Sequence, residues 1–160
     1  MYNAIIEISK NTNLKYEYNK EKNCMVLDRV IPNSNYFPYN YGFIPDTLAP
    51  DNDPIDIILL SSHQIIPGCL VKIDVIGGIE THDENGRDDK IICKLTSNCD
   101  REYDHVKDIT DISENMMKKI VYFLKHYKDN DGDKFIEIKA SYSKDEAINF
   151  IKTYSTNSEQ

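Results

Sequence analysis

The alternation of apolar and polar residues over roughly the first hundred positions constrains the fold more than any other feature of the chain. This period of two, interrupted by turn-forming residues, is typical of short, half-buried strands. The segment Tyr39–Gly42 is interpreted as a turn rich in phenols. The predicted strands are Ala4–Ile8, Leu14–Tyr18, Met25–Arg29, Ile55–Leu60, Leu70–Gly77 and Lys90–Leu95. Several short strands separated by Gly and Pro turns indicate a small β-barrel.

The periodicity changes in the C-terminal third of the chain. A helix is predicted over Ser113–Lys128, with Asp111 or Ser113 as its N-cap. The apolar residues on one face of this helix are Met117, Ile120, Leu124 and Tyr127. Such an amphipathic helix is expected to pack on the outside of the barrel.

A strand over Lys134–Ser141 and a second helix complete the predicted fold. Ser143 and Glu146 form a capping box that opens this helix, which continues through Ile151, and the tail from about residue 155 is expected to fray. The chain is therefore predicted to be a single domain over residues 1–160. Its class is α+β, with a compact five-stranded OB-like β-barrel and flanking α-helices.

Charge and composition exclude several classes of protein. The formal net charge is −8 and the sequence pI is near 4.9, whereas nucleic-acid-binding domains are usually basic. No apolar run approaches the roughly 20 residues that a membrane-spanning helix needs, and the N-terminus lacks the features of a signal peptide. The cysteines form no C-x-x-C pair, which makes a zinc site unexpected and fits reduced thiols. A cytoplasmic protein without nucleic-acid or membrane partners is expected.

Three carboxylates crowd into the segment DNDPID. Asp51, Asp53 and Asp56 repel one another unless positive charge lies between them. Pro54 stiffens the loop, and the aliphatic run that begins at Ile57 ties it to a predicted strand, so the carboxylates are held close together. A simple acidic turn is the alternative interpretation, but three aspartates around a proline favour a cation site.

A second acidic cluster lies in the segment THDENGRDDK. The Asn85-Gly86 dipeptide predicts a hairpin turn that brings Asp83 near Asp88. The carboxylates of this cluster are Asp83, Glu84, Asp88 and Asp89. Two acidic loops at strand ends can converge on one cavity, where their repulsion requires hard cations. Ligand sets made only of oxygen favour magnesium or manganese over zinc.

The segment KDNDGDK has the alternating aspartates of a calcium-binding loop but does not match one. An EF-hand requires Gly at its sixth position and Glu at its twelfth. Counted from Asp129, those positions hold Lys134 and Ala140. The segment is therefore interpreted as a solvated turn between a helix and a strand.

The acidic loops and the basic and aromatic residues between them occur in an order that resembles the soluble family I inorganic pyrophosphatases. The run Asp51-Asn52-Asp53-Pro54-Ile55-Asp56 resembles the D-x-D-P-x-D metal loop of that family. The other matching segments are Lys15-Tyr16-Glu17, Asp28-Arg29, Asn40-Tyr41-Gly42, Asp83-Glu84, Asp88-Asp89-Lys90, Glu102-Tyr103-Asp104-His105 and His126-Tyr127-Lys128-Asp129. The resemblance extends from Ile6 to about Lys134, and the ordered set is far more specific than one acidic hexapeptide.

This resemblance implies hydrolysis of pyrophosphate to two orthophosphates by a metal-activated water, without a covalent intermediate. The implied cofactor is magnesium, with several ions in each active site, manganese as a possible substitute and calcium as an inhibitor. Bacterial relatives of this length are usually homohexamers of two stacked trimers, so a homo-oligomer is expected. His126 lies in a region that the family uses for subunit contact.

The resemblance also implies roles for individual residues. Asp53 resembles the carboxylate that accepts a proton from the attacking water, and Asp56 resembles a ligand shared by two metals. The implied metal ligands are Asp51, Asp56, Asp83, Asp88 and Glu7. The implied catalytic residues are Asp53, Asp56, Arg29 and Tyr41. The residues that match phosphate-binding positions are Lys15, Arg29, Tyr41, Lys90, Tyr127 and Lys128, and those at acidic positions in or beside the pocket are Glu17 and Glu84.

Three positions depart from the family pattern, and one of them is Ser9, which stands where the family often has Pro after Glu7-Ile8. Phe37 stands where the family often has Tyr, so one pocket hydroxyl is either missing or supplied by Tyr36 or Tyr39. Asn52 replaces a frequent Gly, with little effect expected because Asn tolerates left-handed turns. The histidines that are expected to be non-catalytic are His63, His82 and His105.

The residues alone leave two other functions open. A barrel that binds calcium and a protein partner through its acidic loops would bind calcium tightly without hydrolysing anything. A metal-dependent phosphohydrolase that acts on nucleotides is a second alternative, although the sequence contains no P-loop and no evident base-stacking site near the acidic clusters.

Overall fold

The structure is a computed structural model that describes residues 1–32 and 34–156. Its strands are β1 (Tyr2–Ile8), β2 (Leu14–Asn19), β3 (Cys24–Val30), β4 (Asn40–Phe43), β5 (Asp56–Leu60), β6 (Leu70–Asp83), β7 (Gly86–Arg87), β8 (Lys90–Leu95) and β9 (Ile136–Ser143). The helices are α1 (Glu114–His126) and α2 (Lys144–Thr153), and a 3-10 turn at Ile109–Asp111 precedes α1. Within the described part of the chain, no helix has the length and apolar character needed to span a membrane.

Five of the strands close into a ring. β1 pairs with β4, β4 with β5, β5 with β8, β8 with β6, and β6 returns to β1. The contact between β5 and β8 is parallel, whereas the other four are antiparallel. β9 pairs with the far half of β6, and β2 and β3 form a separate hairpin. The predicted α+β class and five-stranded barrel with flanking helices are confirmed.

β5 is buried on both of its faces, which explains why its sequence is a continuous aliphatic run. Ile57 and Leu59 belong to an apolar cluster that includes Phe150 of α2. Ile58 belongs to a second cluster that includes Phe123 of α1. The two helices thus pack against different apolar clusters, and the acidic loop before β5 is attached to the most buried part of the barrel.

The turn predicted at Tyr39–Gly42 is wrong, because this segment contributes most of β4. The fully buried Asn40 uses its side-chain oxygen to accept the backbone N–H of Lys10 at 3.0 Å. Gly42 lets β1 approach closely, since a Cβ at this position would lie 2.0 Å from the carbonyl oxygen of Ile5. Residue types that are common in turns are therefore used here for tertiary packing.

β6 continues to Asp83, well beyond its predicted end at Gly77. β7 and β9 both pair with this far half and satisfy its backbone groups. Gly78 marks a close approach, because a Cβ there would lie 2.3 Å from the ring of Tyr142. The adjacent glycines therefore allow close packing in a continuous strand, and the other predicted strands are present with small shifts of their ends.

Both helices begin at side-chain caps. Ser113 caps α1 by accepting the backbone N–H of Met116, so of the two predicted caps the serine is correct. The predicted capping box of Ser143 and Glu146 opens α2. These caps fix where the chain leaves the barrel for each helix.

The predicted frayed tail is wrong for its first two residues. Ser155 forms an isolated bridge with Thr47, and the backbone N–H of Thr156 donates to the carbonyl of Asp46 at 2.9 Å. The rest of the predicted tail, residues 157–160, lies outside the described residues. The end of the chain thereby bonds to the segment that leads into the acidic loop.

Candidate active site

A cavity of about 650 Å³ collects residues from β1, the β2–β3 hairpin, β4, the loop before β5, the β6–β7 turn, β8 and the segment after α1. The two acidic loops converge on this cavity, as the sequence predicted. It brings together every predicted site residue: Glu7, Lys15, Glu17, Arg29, Tyr41, Asp51, Asp53, Asp56, Asp83, Glu84, Asp88, Lys90, Tyr127 and Lys128.

The loop before β5 is shaped by backbone hydrogen bonds. Ala49 donates its N–H to the carbonyl of Asp53 at 2.7 Å, and Asn52 donates to the carbonyl of Ala49 at 2.9 Å. Asn52 has a φ of 70°, so the left-handed conformation expected at this position is confirmed. The buried N–H of Ile55 donates to the Thr47 hydroxyl at 2.9 Å. The loop is therefore fixed at both ends, and its carboxylates keep their positions.

Lys90 lies at the centre of the cavity floor, between two carboxylates. Its side chain is 1% exposed, and its Nζ lies 2.6 Å from Oδ2 of Asp56 and 2.6 Å from Oδ2 of Asp88. Lys90 and Asp56 are direct partners in the parallel pairing of β8 and β5. The Tyr41 hydroxyl donates to the same Asp56 oxygen at 2.6 Å. One Asp56 oxygen thus joins a buried ammonium and a buried phenol.

Two carboxyl groups of the cavity, those of Glu7 and Asp88, have pKa values well above their ordinary values. Burial raises the pKa of Glu7 to about 7, although the N–H of Tyr18 donates to its carboxylate and lowers the value in part. Burial also raises the pKa of Asp88 to about 6, with Lys90 lowering it and Asp56 raising it further. These raised pKa values reflect negative charge that the protein alone does not fully neutralise.

The pKa values of the neighbouring donors, Lys90 and Tyr41, are raised as well, so both groups keep their protons. Burial lowers the pKa of Lys90, but the carboxylates of Asp56 and Asp88 outweigh burial, so the pKa is raised and the ammonium stays charged. Burial raises the pKa of Tyr41, and the Asp56 carboxylate raises it further, so the phenol remains a neutral donor. The floor therefore carries one fixed positive charge and one neutral hydrogen-bond donor.

The β6–β7 hairpin brings the second acidic loop into the cavity. Asp83 pairs with Gly86 in the hairpin, which confirms the predicted turn. The Lys128 ammonium lies 3.0 Å from the Asp83 carboxylate. Burial alone would raise the pKa of Asp83, but the N–H of Asn85 and the Lys128 ammonium lower it below its usual value. Lys128, after α1, is thus held at the rim by the acidic hairpin.

The β2–β3 hairpin supplies cations from the opposite wall. Lys15 and Arg29 are cross-strand partners. Lys15 forms ion pairs with Glu17, on the same strand face as predicted, and with Asp28 at 3.1 Å. The guanidinium of Arg29 lies 2.5 Å from the carboxylate of Asp131. Each cation of this wall therefore already contacts a carboxylate.

Asp89 does not join the acidic cluster in which the sequence placed it. Its side chain is fully buried and accepts two hydrogen bonds from Arg87, at 2.9 and 2.8 Å. The hydroxyl of Tyr142 donates a third bond to Asp89 at 2.8 Å. Neighbouring residues of an extended segment point to opposite faces, so Asp88 and Lys90 line the cavity while Asp89 does not.

The side chains that line the cavity suit the binding of cations and the use of water as a nucleophile. Among the described residues, no Ser, Thr, Cys or His lines it, so these usual covalent nucleophiles are absent from its walls. Carboxylates on the floor and rim can hold cations, and the basic side chains can hold an anion.

Comparison with known proteins assigns this arrangement to a family. A family model described as inorganic pyrophosphatase matches residues 4–159. An inorganic pyrophosphatase of Rickettsia prowazekii is 40% identical over 151 residues, which cover 94% of this chain and 88% of that protein. The chain belongs to the inorganic pyrophosphatase family. Its reaction is accordingly the hydrolysis of pyrophosphate, and it is an enzyme.

Solved structures of inorganic pyrophosphatases share the fold. One from Helicobacter pylori has a TM-score of 0.93 at 37% identity and covers 95% of this chain and 89% of that one. One from Thermus thermophilus has a TM-score of 0.90 at 32% identity and covers 95% of this chain and 87% of that one. The similarity spans the barrel, both helices and the segments that line the cavity.

In this pyrophosphatase cavity, Phe37 is an apolar wall. It is buried, and its ring lies 5.6 Å from that of Tyr41 and 6.1 Å from that of Tyr127, measured between centroids. Neither Tyr36 nor Tyr39, both within the described residues, lines the cavity. The hydroxyl that the family often has at position 37 is therefore not replaced by either of these tyrosines.

The turn after α1 borders the cavity, which the sequence interpretation missed. The prediction of a solvated turn is wrong for Asp131, which contacts Arg29, and for Lys134, which lines the cavity. Gly132 has a φ of 67° and lets the chain reverse tightly between them. The mismatch with a calcium-binding loop gives no indication of this contact, although the segment begins at the matched Lys128.

The histidines lie away from the cavity. Nδ1 of His126 is 2.8 Å from the carboxylate of Asp129 on the turn after α1. His63, Asp100 and Glu102 place one possible ligand atom each within 4.8 Å of one another, at a site that does not line the cavity. None of His63, His82 and His105, which are expected to be non-catalytic, is among the described residues that line the cavity.

Proposed function

We propose that the chain hydrolyses pyrophosphate with magnesium, through attack by water and without a covalent intermediate. The observation that carries the proposal is one cavity in which carboxylates and cationic side chains alternate. Pyrophosphate is a polyanion, so an acidic cavity binds it only when cations mediate the contact. The cationic side chains that line the cavity include Lys15, Arg29, Lys90 and Lys128.

The proposed metal ligands are carboxylates, and the residues present fit divalent cations. The raised pKa values of Glu7, Asp51 and Asp88 support this role, because a divalent cation would stabilise the ionised form of crowded, partly buried carboxyl groups. Oxygen ligands suit magnesium, with manganese as a substitute and calcium as an expected inhibitor. When bound, the ions lower the pKa of a water and neutralise phosphate charge. The full proposed set is Asp51, Asp56, Asp83, Asp88 and Glu7.

Asp53 is proposed to accept the proton of the attacking water. Its backbone is fixed on both sides, since its carbonyl accepts from Ala49 and its N–H donates to Asp51 at 3.1 Å. Its side chain lines the cavity, where the carboxylate can accept a proton from a water molecule bound there. Asp56, only three residues further along, remains tied to Lys90 and Tyr41.

The phosphate oxygens are proposed to bind to the cationic and phenolic wall. Arg29 offers a planar set of donors, whereas Lys15, Lys90 and Lys128 offer point charges. Tyr41 and Tyr127 add neutral donors, and the acidic residues Glu17 and Glu84 hold Lys15 and Lys128 at the rim. In this proposal these groups stabilise the negative charge that develops on the transferring phosphoryl group, which is the largest contribution expected from this chain.

The proposal is tested by measuring phosphate release from pyrophosphate with purified protein. We expect release at millimolar magnesium, none after addition of chelator, reduced release when manganese replaces magnesium, and inhibition by added calcium. Release that is unaffected by chelator would contradict the metal requirement. ATP tested under the same conditions separates this activity from that of a nucleotide phosphohydrolase, and tight calcium binding without any phosphate release would instead favour a calcium-binding module.

We further propose a cytoplasmic homohexamer. α1 supports a subunit contact because it exposes Tyr122, 65% accessible, with its ring tilted against that of His126 at 4.4 Å between centroids. Aromatic side chains are enriched at subunit interfaces and are otherwise seldom so exposed. Light scattering of the purified protein is expected to give six times the mass of one chain, and a monomeric mass would contradict the proposal.

A further inference from the structure

The contact between Arg29 and Asp131 joins the cavity wall to the turn after α1. The guanidinium Nη2 lies 2.5 Å from Oδ2 of Asp131, and both side chains are largely buried. The same turn carries Lys128 at its start and Lys134 at its end, and both of these line the cavity. Asp131 therefore places a negative charge against a proposed phosphate-binding residue, between two cations that border the same space.

The hydrogen bonding of this pair is incomplete on both sides. Among the residues that the structure describes, Nε of Arg29 is buried and has no hydrogen-bond partner, and Oδ2 of Asp131 is buried without a properly aligned donor. The two groups are thus held by charge rather than by directional bonds. Buried polar groups that lack partners are unfavourable, so an anion that offers Arg29 better-aligned oxygens would be favoured over Asp131.

A second arginine–aspartate pair in the same chain, Arg87 and Asp89, is held by aligned hydrogen bonds. Arg87 donates from Nε and from Nη2 to the two oxygens of Asp89, at 2.9 and 2.8 Å, in the two-bond geometry typical of stable pairs. The Asp89 carboxylate is fully buried and also accepts from Tyr142. A carboxylate that served only to orient Arg29 would be expected to use this geometry, and Asp131 does not.

We propose that Asp131 competes with phosphate for Arg29 and thereby sets how tightly the cavity holds its anionic ligand. The carboxylate contacts the guanidinium when no phosphate oxygen is there, and returns to it as orthophosphate leaves. Asp131 is in this sense a positioning residue that acts through Arg29. The inference rests on the proposed function, since it takes Arg29 to be a phosphate-binding residue.

The test is the affinity for inorganic phosphate in the presence of magnesium, measured by calorimetry on the complete protein. Asp131→Asn and Asp131→Ala are expected to bind phosphate about fivefold more tightly than wild type, which corresponds to loss of a competing ion pair of ordinary strength. Both variants should also show lower KM for pyrophosphate and stronger inhibition by phosphate. Asp131→Glu, which keeps the charge, should remain close to wild type.

Asp133 provides a matched control. It lies on the same turn and is exposed, so Asp133→Asn removes the same charge without touching Arg29. In an Arg29→Ala background, Asp131→Asn should no longer change phosphate affinity. Thermal unfolding checks that each variant keeps the folded state of wild type.

Two results would overturn the inference. Unchanged or weaker phosphate binding by Asp131→Asn would show that the carboxylate does not compete, and an equal effect of Asp133→Asn would show that only the general charge matters. Either result in a protein that still hydrolyses pyrophosphate would leave the proposed function standing. A wild-type protein that releases no phosphate from pyrophosphate would instead refute both.

Discussion

The segment from Arg87 to Lys90 presents two different kinds of charged surface on its two faces. On one face, Arg87 donates two hydrogen bonds to Asp89 and the Tyr142 hydroxyl donates a third, so both oxygens of the Asp89 carboxylate have aligned partners. On the other face, Asp88 and Lys90 lie in the cavity, where burial and neighbouring carboxylates raise the pKa of Asp88 to about 6. The Asp89 carboxylate has its hydrogen-bond partners within the protein. The Asp88 carboxylate keeps negative charge that a cationic ligand can neutralise.

The difference separates structural charges from functional ones in a chain rich in both. A carboxylate with all its hydrogen bonds satisfied by the protein stabilises the fold and has little capacity to bind anything else. A carboxylate with a raised pKa is held in an environment that disfavours its ionised form, which is a cost to stability that binding a cation can offset. Each prediction below changes one face and compares the result with the other.

The largest expected effect is on activity, from a pair of neighbouring substitutions. Asp88→Asn should lower kcat/KM for pyrophosphate by about a hundredfold or more, because it removes a proposed metal ligand. Asp89→Asn should leave kcat/KM within a few fold of wild type, because Asp89 faces away from the cavity. Steady-state phosphate release measures both, and equal losses in the two variants would remove the distinction between the faces.

The same two positions should show the reverse order in stability. Asp89→Ala should reduce the free energy of unfolding by about 2 kcal/mol, because it leaves the Arg87 guanidinium and the Tyr142 hydroxyl without their partner. Asp88→Asn should leave the metal-free protein unchanged or stabilise it by about 1 kcal/mol at neutral pH, because it removes a charge in a buried, acidic site. Urea unfolding in chelator measures both. Strong destabilisation by Asp88→Asn would indicate that its charge is structural.

The pH dependence of stability should directly reveal the cavity carboxylates that the protein does not neutralise. The folded-state pKa of Glu7 is raised from 4.5 to about 7 and that of Asp88 from 3.8 to about 6, so the folded protein keeps these protons at pH values where the unfolded chain has lost them. Stability of the metal-free protein should therefore fall as pH rises from about 4.5 to about 7, by about 2–3 kcal/mol from Glu7.

Two controls sharpen this pH test. Glu7→Gln should flatten the decline, since its side chain no longer titrates. Magnesium should stabilise wild type most at the upper end of the range, because metal binding requires deprotonated carboxylates. Stability in chelator that rises across this pH range would contradict the assignment.

The smallest expected effect comes from adding a hydroxyl group to a side chain that lines the cavity. Phe37→Tyr places a hydroxyl beside Tyr41 and Tyr127, where Phe37 now provides an apolar wall. We expect KM for pyrophosphate to fall by about threefold or less, which is the scale of one hydrogen bond to a solvated ligand. Stability should change by less than about 1 kcal/mol. A large loss of activity would mean that the apolar wall itself is required.

The sequence predicted the barrel and which residues line the cavity, because both depend on local patterns. Alternating hydrophobicity located the strands, and the order of acidic and basic motifs gathered residues that the fold then placed in one cavity. Asn52 is an example at the level of one residue, since its left-handed φ follows from the turn chemistry of Asn in this loop.

The errors arose where distant contacts override local preference. Nothing local shows that Asn40 bonds across the barrel or that Gly42 allows β1 to approach, so β4 was interpreted as a turn. The placement of Asp89 in the acidic cluster is wrong because one of its partners is Tyr142, far along the chain. Asp131 was treated as solvated because its contact with Arg29 joins a turn to a separate hairpin.

The central claim is that the carboxylates of this cavity hold the magnesium that hydrolysis requires, and Asp56 tests it most directly. Phosphate release from pyrophosphate is to be measured for wild type and Asp56→Asn over a range of magnesium concentrations. The account predicts magnesium-dependent release by wild type and loss of about a hundredfold or more of kcat/KM in the variant. Near-normal release by Asp56→Asn, or wild-type release that persists in chelator, would contradict it.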